Sequence, residues 1–261
     1  MNTLRLAALE ALLLTDPLQK VDAVNALHLE LPVGAEQSIQ DPGGIPGRPS
    51  HLEFVLPQKV PRRSVHTLQG RAALVHSLAH IEFNAINLAL DIIWRYPNLS
   101  DRFYGGWLTV AKEEALHFSL LQAHLSTLGF NYGDFPCHDG LWEMAERTKD
   151  NLLARLALVP RTLEARGLDA CPVVREKFAQ AGDQQAAQIL DVILRDEVGH
   201  VALGNYWYRR LCREQERCDF DTYQQLAKQH RAPRLRGPFN RPARLEAGFT
   251  ERELQALEEQ A

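Results

Sequence analysis

An all-α fold follows from three observations. Apolar residues recur at intervals of three and four over long stretches, strand-like alternation is scarce, and Pro and Gly cluster mainly between those stretches. With 261 residues and 45% hydrophobic content, the chain can bury one substantial core. The expected organisation is a single domain over 1–261: an N-terminal helix and wrapping arm (1–63), a four-helix bundle (64–217) and a C-terminal extension (218–261).

The elements are justified in order. Leu6, Leu9 and Leu13 share one face, so a short helix is expected from Thr3 to about Leu14, ended by Asp16-Pro17. From Leu31 to Arg63, prolines at 32, 42, 46, 49, 57 and 61 with Gly43-Gly44 rule out a long helix, and a connection of that length is expected to lie along the body as an arm. A first long helix is expected from Ser64 to Tyr96 and a second from Asp101 to Leu128, with Pro97-Asn98 between them. The third should run from Leu141 to Arg166 with a kink at Pro160, break at Gly167 to Pro172, and resume over Val173 to Ala181. After a turn at Gly182-Asp183, the fourth extends from Asp183 to Arg217.

A net charge of -4 gives no global argument for nucleic acid. Even the apolar stretch Leu74 to Ile93 carries His76, His80, Glu82 and Asp91, so no membrane span is expected. The start Met1-Asn2-Thr3-Leu4-Arg5, with Glu10 dividing its apolar run, lacks the order of a secretory signal, and a cytoplasmic location is expected. Cys137, Cys171, Cys212 and Cys218 contain no Cys-x-x-Cys and read as reduced thiols.

The chemistry lies where acids enter the apolar stripes. In the first long helix Leu74, Leu78, Glu82, Ala85, Ala89 and Ile92 step along one face, and a carboxylate there is costly unless something neutralises it. The second helix sets Glu114 and His117 in such a stripe, and the fourth sets Glu197 and His200. A carboxylate and an imidazole three residues apart share a helical face, so both can reach one metal ion. Glu82 precedes Glu114 by 32 residues and Glu164 precedes Glu197 by 33, as in two copies of one helical hairpin. Lys112-Glu113-Glu114-Ala115-Leu116-His117 matches Arg195-Asp196-Glu197-Val198-Gly199-His200 in frame. Glu82 and Glu114 each lie about 15 residues from the first turn, roughly 22 Å along each helix, and so sit level. Glu146 shares a helical face with Glu164 but breaks the repeat spacing, so Glu164 is the preferred residue.

Glu, Glu-x-x-His, Glu, Glu-x-x-His over four helices resembles the ferritin-like di-iron carboxylate superfamily, and the likeness covers Ser64 to Arg217. Within it, Glu164-Ala165-Arg166-Gly167-Leu168-Asp169 and the Pro-Arg-Arg of Pro61 to Arg63 are similar to an uncharacterised bacterial branch, domain of unknown function 455. The resemblance implies a ferritin-like four-helix bundle holding two iron ions, with oxidation by dioxygen of a small-molecule substrate or of iron itself. Four carboxylates and two imidazoles without thiolate suit Fe or Mn, a mixed Mn/Fe pair included, and four negative charges match two divalent ions. Glu82, Glu114 and His117 would serve one ion and Glu164, Glu197 and His200 the other, with Glu114 and Glu197 bridging. Glu113 and Asp196 are candidates to accept the ring N–H of the histidine on the opposite helix.

Other features have plainer readings. His76, His80 and His124 are expected to be core or surface histidines, and Tyr206, Trp207 and Tyr208 core aromatics. The acid-free stretch Gln224 to Leu245, with Lys228, Arg231, Arg234, Arg236, Arg241 and Arg244, reads as a solvated arm anchored by Phe239 and Phe249 rather than an RNA footprint. The leading functional expectation is a di-metal oxidase or monooxygenase with an unknown substrate and electron donor. Iron storage, a tRNA-modifying hydroxylase that uses the basic stretch, and a metal-stapled scaffold are the alternatives.

Overall fold

Every regular element among the described residues is helical, apart from one isolated parallel bridge between Phe54 and Cys137. The computed structural model describes residues 3–61 and 63–260; Met1, Asn2, Arg62 and Ala261 lie outside them, so the start of the chain and the centre of the Pro-Arg-Arg motif are not described. The fold is all-α, in two compact units, Met1–Gly140 and Leu141–Ala261.

In the first unit, α1 (Leu4–Leu13) begins where Thr3 Oγ1 accepts the Leu6 N–H. Helix α2 (Pro17–Ala26) was not expected. Its signals are Asp16 as cap and Pro17 in the first turn, the same pair that ends α1. The proline-bearing segment after α2 keeps its expected irregular course, with one short 3-10 turn at Pro57–Lys59. It lies on its own unit, through Val55 N to Cys137 O (2.8 Å), Cys137 N to Glu53 O (2.9 Å) and a two-pronged Arg48–Asp139 pair at 2.7 Å.

Helix α3 (Leu68–Arg95) starts later than expected, because Thr67 caps it and the chain before it folds back. A Cβ on Gly70 would stand 1.8 Å from Ser64 O, so only glycine permits that approach. Helix α4 (Asp101–Thr127) follows a turn with Asn98 at φ 61°. The two pack side by side through Phe83, Phe118 and Tyr132, whose ring centroids lie 5.2 to 5.5 Å apart.

The second unit departs most from expectation. The third helix is divided into α5 (Gly140–Thr148), α6 (Leu152–Leu158), a wide π turn (Val159–Glu164) and α7 (Ala165–Gln180). The break falls at residues 149–151, where Asn151 caps α6 through its side chain, and not at Gly167 to Pro172, which lie inside α7. The proline is tolerated because the Leu168 carbonyl it strands accepts Asn240 Nδ2 at 3.0 Å. At Pro160 the expected kink takes the form of the π turn.

Helix α8 (Gln184–Glu214) opens with Gly182 at φ 81° and Asp183 capping Ala186. The C-terminal extension is not an extended arm. It forms α9 (Asp219–Gln229), α10 (Arg241–Glu246) and α11 (Glu251–Gln260), and Ala243, Ala247, Phe249 and Leu254 pack against Ala165, Leu168 and Val201. All four cysteines are free. No helix among the described residues is long and apolar enough to cross a membrane.

Candidate metal centre

The six expected residues divide between the two units, three in each. In the first, Glu82 sits midway along α3, and Glu114 and His117 sit on α4 one turn apart. All three are buried, at 3%, 1% and 0% exposure, and each offers a ligand atom within 4.8 Å of the others. His117 Nδ1 is 3.3 Å from Glu82 Oε2 and 3.3 Å from Glu114 Oε2.

Two carboxylates and one imidazole sealed in an apolar helix pair lack positive charge. Burial first, and the Glu114 carboxylate second, hold the Glu82 carboxyl well above the usual range. Burial works against an imidazolium at His117, but its hydrogen bonds to Glu114 and Glu82 outweigh that and raise it to about 11. Both shifts describe a cluster that draws in positive charge, as protons or as a cation. Glu82, Glu114 and His117 form a buried group that can hold a metal ion.

In the second unit, Glu197 and His200 are buried on α8, with His200 Nδ1 3.7 Å from Glu197 Oε1. Glu164 closes the π turn and is partly buried. A Cβ added to Gly167 would lie 3.9 Å from Glu197 Oε2, so the α7 face one turn beyond Glu164 looks onto the Glu197 carboxylate. One turn past His200, Gly204 seats Pro160, whose Cβ would meet a Gly204 Cβ at 2.7 Å. The close approach anchors the π turn, and with it Glu164, against α8. Glu146, the rival on the earlier part of the third helix, pairs instead with Lys149 at 3.3 Å, its side chain 41% exposed.

Of the neighbouring acids, Asp196 is gripped by the Arg195 guanidinium at 2.7 and 3.0 Å, and Glu113 is partly buried on α4. His76 and His80 have core partners: His76 Nε2 accepts from Gly133 N at 2.9 Å, and His80 Nδ1 lies 2.7 Å from the Tyr132 hydroxyl. Burial lowers them to about 4 and about 3, which keeps both neutral. Trp207 and Tyr208 are buried core aromatics, while Tyr206 is 38% exposed.

The family described as "Protein of unknown function (DUF455)" matches residues 13–255, a span that includes all six residues. The chain belongs to this family. A relative, an "Uncharacterized protein" of Haemophilus influenzae, is 50% identical over 208 residues, 77% of this chain and 72% of the relative. No solved structure matches.

Among the buried cations of this DUF455 chain that sequence reading missed are Arg161 in the π turn and Arg244 in α10, at 2% and 0% exposure. The signal for Arg161 was present, since it and Arg155 interrupt an otherwise mostly apolar run from Leu152 to Leu163. Arg244 was hidden among the other basic residues of its stretch.

Proposed function

We propose that the α3/α4 and α7/α8 hairpins associate as a ferritin-like four-helix bundle around two iron ions, and that the centre oxidises a small organic substrate. The observation that carries the reading is the sealed trio Glu82, Glu114 and His117, whose Glu-x-x-His frame recurs at Glu197 and His200. Glu82, Glu114 and His117 would hold one ion, Glu164, Glu197 and His200 the other, and Glu114 and Glu197 would bridge. The donor set is all oxygen and imidazole, which suits iron or manganese, and four carboxylates balance two divalent ions.

When bound, iron supplies the redox chemistry with dioxygen. The chain's own residues do the rest. The apolar walls of α3 and α4 exclude water, which strengthens every charge interaction within. Gly167 keeps the space beside the Glu197 carboxylate free of side chain. Glu113 and Asp196 would orient the histidine rings by accepting their second N–H.

Elemental analysis of the purified protein beside a Glu114→Ala, Glu197→Ala variant tests the centre. The parent is expected to carry about two ions per chain and the variant few or none. Unchanged metal in the variant would defeat the proposal. Oxygen uptake by the reduced protein then separates an oxidase from a metal-stapled scaffold, and uptake of many irons per chain would indicate storage instead.

A further inference from the structure

A second concave site lies wholly within the Leu141–Ala261 unit, and no residue of the proposed metal centre lines it. It is a cavity of about 520 Å³ between α9, α11, the segment before α10 and the π turn. That volume falls in the range of pockets for drug- or nucleotide-sized ligands.

Its charge is one-sided. Arg161, Lys228, Arg234 and Arg244 line it, against the single carboxylate of Glu253. Glu253 is already shared: Arg161 Nη2 donates to one oxygen, and Arg209 Nη2 to the other at 2.7 Å. Asp169 holds Arg244 through Nε at 2.9 Å and Nη2 at 2.7 Å. Even so, Arg161 Nε, Arg161 Nη1 and Arg244 Nη1 are buried without a hydrogen-bond partner. Stranded donors on a buried guanidinium are costly, and native proteins seldom keep them without a purpose.

The same walls are aromatic. Arg161 lies over Tyr223 at 5.0 Å and Phe249 at 5.2 Å, and Arg244 over the same Phe249 at 5.1 Å. The rings fix both guanidinium planes, so they are preorganised for a planar or tetrahedral oxyanion. Lys228 and Arg234 are exposed at the rim, where they can attract an anion from solution. Arg161 itself comes from a π turn, a geometry that recurs at functional sites.

We propose that this cavity binds a small organic anion, a phosphate or carboxylate head on a flat or apolar body, with Arg161 and Arg244 holding the head and Phe249 and Tyr223 bordering the body. The basic stretch from Gln224 to Leu245 then serves a pocket, and not an open face for a nucleic-acid backbone. The inference is independent of the metal reading.

Calorimetric titration of the full chain with 1-naphthyl phosphate, 1-naphthoate and uncharged 1-naphthol, beside a Lys228→Gln, Arg234→Gln variant, tests it. Both substitutions are at exposed positions, so the variant should fold. At least one of the two anions should bind about tenfold or more tighter than naphthol, and the variant should weaken that anion about fivefold or more at unchanged melting temperature. In arginine-labelled protein the Arg161 Nε–H resonance should shift on addition of that anion. Equal affinity for naphthol, no binding of either anion, a variant that binds like the parent, or an unmoved Arg161 resonance would overturn the proposal. So would single-stranded RNA binding that strengthens with length while the naphthyl anions do not bind.

Discussion

His117 Nδ1 lies 3.3 Å from the Glu82 carboxylate on the neighbouring helix, as close as it lies to Glu114 in its own. One imidazole thus serves two buried carboxylates, and the pair repels itself whenever both are ionised. Glu82→Gln keeps the shape and removes one charge. The metal-free variant should be as stable as the parent or more so, while the rise in melting temperature on adding Mn(II) should shrink. At 100 times its dissociation constant, a ligand stabilises by about 2.7 kcal/mol, so the parent's rise is measurable by calorimetry. A variant that loses stability without metal, yet gains as much as the parent on adding it, would mark Glu82 as a structural ion-pair partner instead.

Arg5 in α1 is another buried charge, and it closes a helix end. Its guanidinium donates to Ile93 O (3.3 Å) and Trp94 O (2.6 Å) in the last turn of α3, and to Gly34 O, Ala35 O and Gln37 O in the arm. Gly34 O and Ala35 O keep backbone donors, but Arg5→Met would take their donor from the Ile93 and Trp94 carbonyls at the end of α3 and should cost about 3 kcal/mol or more in urea unfolding. Arg5→Lys should recover only part, because an ammonium lacks the planar fork. A loss below about 1 kcal/mol in Arg5→Met would show that solvent reaches these groups.

Acid should destabilise the first unit through His76. Its ring is fully buried, accepts from Gly133 N, faces Asp134 and His80, and is lowered by burial to about 4. The folded state therefore binds the proton later than the unfolded chain, whose histidine titrates near 6.5. Stability from this group is complete above the unfolded value and falls as pH drops from about 6.5 toward about 4, by at most about 1.4 kcal/mol per pH unit. His76→Gln, which can still accept from Gly133, should flatten that part of the urea-unfolding profile. An unchanged slope would assign the acid sensitivity elsewhere.

How far the sequence could be read depended on whether a signal was periodic or local. Helices α3, α4 and α8 carry long apolar stripes, so the helices themselves and the placement of Glu82, Glu114, His117, Glu197 and His200 on buried faces were legible, while the start of α3, set by the Thr67 cap and the close approach at Gly70, was not. The third helix was not, because its shape rests on compensations distant in sequence. Asn240, far down the chain, relieves Pro172, and Gly204 makes room for Pro160. Helix α2 was hidden by Asp16-Pro17, a pair that ends one helix as readily as it starts the next. The cavity beside Arg161 was invisible for a related reason, since basic residues in a Pro-containing stretch look solvated until Phe249 and Tyr223 are seen against a guanidinium from the π turn.

The Pro172 and Asn240 arrangement gives a test with an internal control. Asn240 Nδ2 donates to the Leu168 carbonyl that Pro172 cannot reach, while its Oδ1 caps α10 by accepting from Ala243 N at 3.3 Å. Asn240→Asp retains the capping oxygen but sets a carboxylate against the stranded carbonyl, so it should cost about 1 to 2 kcal/mol. Pro172→Ala restores the backbone N–H to that carbonyl, and on this background Asn240→Asp should cost less by about 1 kcal/mol. Urea unfolding of the two single variants and the double variant measures that coupling. If the effects simply add, Asn240 acts on α10 alone, and α7 accommodates its proline by some other means.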